Sequence, residues 1–256
     1  MKIKHLLNDS IHYAIADWYN ILILGLILFL GENLYTLPGN PPGFDIYDLT
    51  VVIFIGFLWI IESGYIFKIL EETVSGSIKS PKFNKIKSIL SHGVNENIVM
   101  FLYLSIPLII VGSVILNGKI FLEILEMNPN IILFYLASSK MIYFAIALIS
   151  SAFIYFWYLG VLLNMAHFDG TINSGFEFNK IRIRLKNAGL KNLFFVYFCI
   201  ILITIILVIT FSTYDIIPIY IYKWNIIDII VQFFIGPVII ISSFRMLGLL
   251  DQKLNR

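Results

Sequence analysis

The sequence predicts an all-α fold, a polytopic bundle of transmembrane helices with about six spans, on three observations. Of the 256 residues, 59% are hydrophobic and 13% are charged, and the mean hydropathy is +0.89. A water-soluble domain of this size needs a more polar surface than so few charges supply. The apolar residues also arrive in blocks, many near the roughly 20 residues that a helix needs to cross a bilayer core. Finally, the lysines and arginines fall largely on one side of those blocks.

Backbone groups in lipid must be satisfied within the segment, so each long apolar block reads as a helix. The first span is expected near 14–34, bracketed by Asp17 and Glu32, with Trp18, Tyr19 and Tyr35 suited to headgroup depth. Lys2 and Lys4 ahead of the run Trp18 to Leu30 imitate a signal peptide, but Gly31, Glu32 and Asn33 form no cleavage site, so the run reads as a retained span. The other spans are expected near 49–70, 98–116, 141–166, 193–211 and 226–249. Pro107 and the pair Gly236-Pro237 fall inside spans three and six, where kinks are expected. The segment 37–48 is a proline-glycine connection. Within 117–140, Ile120, Phe121, Ile124 and Leu125 have the spacing of a short helix lying in the outer interface. The single cysteine, Cys199, sits in an apolar run, so no intrachain disulfide is available.

Fifteen of the 18 basic residues lie on one side of this layout, and only Lys119, Lys140 and Lys223 on the other. The positive-inside rule then places both ends of the chain in the cytoplasm, with the protein in the cell membrane. The two cytoplasmic connections read as short basic amphipathic helices. One follows Pro81, with Phe83, Ile86, Ile89 and Leu90 on a face beside Lys82, Lys85 and Lys87, and is expected to stop at Gly93. The other sets Phe178, Ile181 and Leu185 among Lys180, Arg182, Arg184 and Lys186, and is expected to stop at Gly189. The seven basic residues are candidate contacts for the anionic headgroups of the inner leaflet.

The two connections also resemble each other. Phe83-Asn84-Lys85-Ile86 matches Phe178-Asn179-Lys180-Ile181, and nearly the same offset relates Gly64 to Gly160, Gly76 to Gly170, Gly93 to Gly189 and Tyr103 to Tyr197. This spacing implies a parallel internal repeat within one membrane domain covering 1–256. Segments 48–116 and 141–211 are its halves, flanked by spans near 14–34 and 226–249, with an axis along the membrane normal.

Several of these residues carry a family resemblance: Gly64-Tyr65, Gly76, Pro81, Phe83, Gly93, Tyr103 and Pro107, then Asn164-Met165-Ala166, Gly170, Phe176, Phe178, Ile181, Gly189 and Tyr197. The chain resembles a family of archaeal multi-pass membrane proteins, domain of unknown function 4013. More loosely, it is similar to the membrane domain attached to some glycerophosphodiester phosphodiesterases, without their catalytic domain. The resemblance implies a multi-pass fold and brings no catalytic or binding residues.

Chemistry-bearing residues are sparse. Glu62 lies well inside span two, where a carboxylate is costly unless it faces the bundle or a wet cavity, so it reads as a proton or cation site or as a packing lock. Asn164 and Gln232 are the other polar residues inside spans, and with Glu62 they form the candidate intramembrane polar site; interhelical hydrogen bonding accounts for both. Arg245, near the inner end of span six, could pair with Glu62 by depth. His5, His12, His92 and His167 show no metal-ligand spacing, and neither a cofactor nor a metal is expected. Basic residues beside spans fit lipid better than nucleic acid.

Three functional readings follow. The first is a non-enzymatic module that organises membrane or binds a partner. The second is a small transporter or channel between the halves, with Glu62 near its pathway. The third is an inner-leaflet lipid-modifying enzyme using residues such as His92, His167, Asp169 and Glu177. The first leads, because transport and catalysis both need converging polar groups.

Overall fold

The computed structural model describes residues 3–34, 46–116, 139–198, 201–202, 220–221, 224–225 and 230–252. Among them the chain is helical apart from turns and one two-residue antiparallel ladder. There Tyr220–Ile221 (β1) pairs with Trp224–Asn225 (β2), in the register Tyr220 to Asn225 and Ile221 to Trp224. The ladder precedes the last helix and was not expected from the sequence. The stretch 117–138, with its expected interfacial helix, lies outside the described residues, as do Cys199 and 203–211.

The first apolar block is two helices rather than one. Helix α1 (Ile3–Ile15) and α2 (Trp18–Asn33) meet at a bend of 83°. Asp17 explains the break: its carboxylate accepts from the backbone N–H of Asn20 at 3.4 Å and from Asn20 Nδ2 at 2.9 Å. An N-cap carboxylate that satisfies the donors of a new helix starts that helix there. Helix α1 buries Leu6, Tyr13 and Ala14 and exposes Leu7, Ile11 and Ile15.

Helix α3 (Ile46–Val74) descends and α4 (Ile86–Leu116) returns, continuing through Pro107. Here the structure corrects the expected stop at Gly93, which lies inside α4 and packs on α3. A Cβ on Gly93 would strike the Ile60 carbonyl, and one on Gly64 would strike the Ile89 carbonyl and the Gly93 nitrogen. Packing and close approach drive helix association in lipid, where apolar burial adds little, so two facing glycines are better used inside the pair than as a terminus. Lys82 and Lys85 accordingly sit in the turn before α4 and Lys87 in its first turn; no separate basic helix forms there.

Helix α5 (Ser139–Ala166) is followed by a 3-10 turn (Ile172–Phe176), by α6 (Phe178–Ala188), and by helical residues 190–198 and 201–202 (α7). The second connection contains a helix over Phe178–Ala188, which ends at Gly189, whose φ is +83°. Its apolar face is spent differently from the expectation. Ile181, Leu185 and Ala188 are buried in the protein, Leu185 lying against Gly160, while Arg182, Ile183 and Lys186 face outward. Gly76 and Gly170 also adopt positive φ, +94° and +65°, where α3 and α5 end; their N–H groups return to the carbonyls of Thr73 and Met165.

The last span opens with a π turn (Val231–Ile235) and continues as α8 (Gly236–Gln252). Pro237 offers no N–H, and the helix widens just ahead of it, with Gly236 N–H bonding to the carbonyl of Val231. Gly25 of α2 abuts the backbone of Phe233 at this point.

Among the described residues, three helical stretches are long and apolar enough to cross a membrane: Leu49–Val74, Ile149–Ala166 and Val231–Gln252. A fourth is counted if the bent pair α1–α2 is one span. That is fewer than the six expected; spans three and five fall in part on side chains at 110–116 and residues at 203–211 outside the described set. One apolar core gathers on α5, around Leu162, Leu163 and Met165 with Ile181, Val99 and Leu247. A second joins Tyr13, Ile21 and Leu24 to Tyr65, Ile69 and Ile241.

Candidate functional site

Three polar ties close one end of the bundle. Arg245 of α8, 5% exposed, donates to the Ser77 carbonyl at 2.6 Å, to Thr73 Oγ1 at 3.3 Å and to Asp9 Oδ2 at 3.4 Å, and lies over the Tyr13 ring. It thus joins α8 to α1 and to the end of α3, in place of a pair with Glu62. At the second tie Asn20 Nδ2 donates to Ser80 Oγ and the Pro81 carbonyl, both at 3.0 Å. Tyr65 donates to the same carbonyl at 3.2 Å and stacks on Phe83, centroids 3.9 Å apart. In the third, His167 at the end of α5 pairs with Asp251 of α8, with Arg184 of α6 3.9 Å from the same carboxylate oxygen.

A polar seam runs inward from this end between α4 and α5. Glu96 of α4, 7% exposed, accepts from the Tyr158 hydroxyl of α5 at 2.9 Å, and its second oxygen has no partner among the described residues. Asn97, the next residue, donates to Ser63 of α3 and to the Gly93 carbonyl. The turn after α5 folds onto this seam. Asn164 Nδ2 donates to the Ser174 carbonyl at 2.7 Å and to Glu177 at 3.4 Å. Tyr103 donates to the Gly175 carbonyl at 2.9 Å and stacks on Phe176, and Asn95 donates to the Gly170 carbonyl at 3.0 Å.

Beside the seam, His92 Nε2 lies 3.4 Å from Glu71, which also holds Lys68 at 2.9 Å. Burial lowers the His92 pKa below its ordinary value, and Lys68 acts in the same direction; Glu71 and Asp169 oppose them. A hydrogen bond from Lys180 lowers the Glu177 pKa.

Two members of the expected intramembrane trio, Asn164 and Gln232, stand far apart along the bundle. Asn164 holds the 172–177 turn at the polar end. Gln232 accepts from Asn33 Nδ2 at 2.7 Å and lies more than five turns before Asp251, about 28 Å at 1.5 Å per residue. Glu62 is half-buried on α3. Of the histidines and acids named for an enzyme, His92 and Asp169 lie close enough to interact, whereas His167 goes to Asp251 and Glu177 to Lys180 and Asn164. All seven basic residues stand at the same end; Lys82, Lys85, Lys87, Lys180, Arg182 and Lys186 are exposed, and Arg184 is partly turned toward Asp251.

Glu96 is the residue that the sequence reading missed. It stands two positions ahead of the expected start of span three, outside the stretch in which polar residues were weighed. Its spacing of four from His92, facing the interior, was the available signal.

The fold and this seam define the class: a bundle of membrane-length helices whose polar residues tie its elements together at one end. The family described as a protein of unknown function (DUF4013) matches residues 48–216, and the chain belongs to it. No curated protein and no solved structure matches the chain.

Proposed function

We propose that this chain is a six-span integral membrane protein of the cell membrane, with both ends cytoplasmic, acting as a non-enzymatic module that organises lipid or docks a partner at the inner leaflet. One observation carries the reading. The buried polar side chains with described partners join helix to helix, while six of the seven basic side chains remain exposed around them at one end. Interhelical packing accounts for those tied groups, whereas exposed lysines and arginines attract anionic headgroups at about 1 kcal/mol each. The shared spacing of 48–116 and 141–211, with glycines of positive φ at 76 and 170, supports a parallel repeat. Cysteine accessibility tests the topology. After Cys199→Ser, an impermeant thiol reagent added to intact cells is expected to label a cysteine placed in 37–48 and to spare Lys186→Cys. The reverse pattern would overturn the orientation.

A transporter is the second reading, and Glu96 favours it. Its carboxylate bridges the two proposed halves through Tyr158, with one oxygen unpartnered among the described residues. Proton or cation flux in proteoliposomes, abolished by Glu96→Gln, would replace the first reading. Absence of flux in the unmodified protein would remove the second.

A further inference from the structure

A groove of about 660 Å³ opens on the side of the bundle between α2, α3 and the turn that begins α4. Its walls are Ile23 and Ile27 of α2, Ile61 of α3 and Ile89 of α4, and its mouth carries Lys82 and Asn84. The lining is graded by depth. Lys82 and Asn84 sit in the connection at the polar end, whereas Ile27 lies two turns into α2 beyond Tyr19, about 12 Å deeper at 1.5 Å per residue. Asp17 also stands at the mouth, but its carboxylate accepts from Asn20 N–H, Asn20 Nδ2 and Ser80 Oγ. Lys82 has no ion pair and Asn84 no side-chain hydrogen bond among the described residues.

We infer that this groove seats one chain of an anionic membrane phospholipid, with its phosphate at Lys82 and Asn84 and its hydrocarbon against Ile23, Ile27 and Ile61. The volume is that of a ligand site rather than a packing defect. A free ammonium and amide at headgroup level, above an isoleucine wall at hydrocarbon level, match an amphiphile and no wholly polar ligand. Tyr19 and Ile86, both exposed on the surface of the bundle, also line the groove, so a lipid can reach it from the surrounding bilayer. Three neutral donors already engage the Asp17 carboxylate, whereas Lys82 is the charged lining group that no described residue pairs. The inference rests on the membrane reading above and gives it a defined lipid site.

The test uses the full chain in detergent micelles, with native mass spectrometry after exposure to equal phosphatidylglycerol and phosphatidylcholine. The expected result is one tightly retained phosphatidylglycerol, with retention falling roughly fivefold in Lys82→Gln through loss of one lysine–phosphate attraction. Ile23→Trp, which fills the groove, is expected to abolish retention of either lipid. A photo-crosslinking amino acid at position 23 reports independently of that variant's folding and is expected to capture lipid in native membranes. Equal retention of both lipids, an unchanged Lys82→Gln, or capture of a second protein chain at position 23 would overturn the proposal. Displacement by inorganic phosphate alone would do so as well, since it needs no chain in the groove. A protein that stays in the detergent-extracted membrane fraction yet retains no lipid refutes the groove alone; one that appears in the soluble fraction refutes the membrane reading itself.

Discussion

Gly93 follows Gly64 at the same sequence spacing as Gly189 follows Gly160, and the molecule uses the two in opposite ways. At Gly93 the chain stays helical, and the missing side chain lets α4 press its backbone against Ile60 of α3. At Gly189 the chain turns left-handed, φ +83°, and separates α6 from α7. The same contrast appears one element earlier. Gly64 faces backbone, whereas Gly160 faces the Leu185 side chain, 2.5 Å from where its Cβ would stand. The first hairpin is thus closed backbone to backbone, while the second is closed by a surface helix clipped onto α5. Identical residue spacing does not dictate identical use; the partner across the gap decides.

Substitutions that separate these two uses should give graded effects. Gly93→Leu is expected to cost the most, more than about 3 kcal/mol, because the Ile60 carbonyl has no rotamer by which to retreat. Loss of the monodisperse peak in detergent chromatography would show it, and a protein of unchanged thermal stability would refute the close approach. Gly160→Ala should cost only about 1 kcal/mol, since Leu185 can rotate, and Leu185→Ala should restore part of it.

Next come the asparagines that pin the two connections, Asn20 for the first and Asn164 for the second. Replacing either with Ala is expected to cost about 1–3 kcal/mol through lost buried hydrogen bonds. Each should loosen its own connection: trypsin should then cut faster after Lys79, Lys82 and Lys85 in Asn20→Ala, and after Lys180 and Arg182 in Asn164→Ala. Matching acceleration at both connections in either variant would contradict the independence of the two. Gly189→Ala should cost about 1–2 kcal/mol, the strain of a side chain in the left-handed region, read as a lowered melting temperature.

The smallest effect is titration of His92, which belongs to the first hairpin and faces Phe67, Glu71, Lys68 and Asp169. Its folded pKa is depressed, so the unfolded chain binds the proton more readily. Stability is therefore retained above the ordinary histidine value near 6.5 and declines as pH falls below it toward the lowered value. His92→Gln should flatten that part of a melting-temperature profile, and an unchanged slope would place the titration elsewhere.

Helix-forming blocks were legible because lipid imposes length and uniform hydropathy on a span, as α3 and α5 demonstrate. The break at Asp17 was less so: a carboxylate between two apolar runs reads equally as a span edge or as a cap, and only the partner Asn20 distinguishes them. Gly93 misled because a glycine after a basic stretch resembles a stop signal, and its true partner, Ile60, lies 33 residues earlier in the chain. Phe83, Ile181 and Leu185 were legible as one-sided but not in what they face, since an amphipathic pattern does not say whether protein or lipid covers the apolar side. The seam escaped for the same reason: Glu96 and Tyr158 are joined only by tertiary structure, whereas Glu62 announced itself by its position within a span.

The bend at Asp17 has a bearing on biogenesis. It swings α1 across α8, where Asp9 meets Arg245 and the Ser10 carbonyl accepts from Ser242, contacts separated by 236 and 232 residues. At about 5–20 residues per second, the ribosome needs roughly ten to fifty seconds to supply that partner. Through that interval the N-terminal helix has only its contacts with α3 and the turn after it, such as the Tyr13 hydroxyl on the Lys79 carbonyl. A nascent chain stalled before α8 is therefore expected to hold α1 loosely, with Asp9 and the Ser10 carbonyl lacking the partners that the last helix brings.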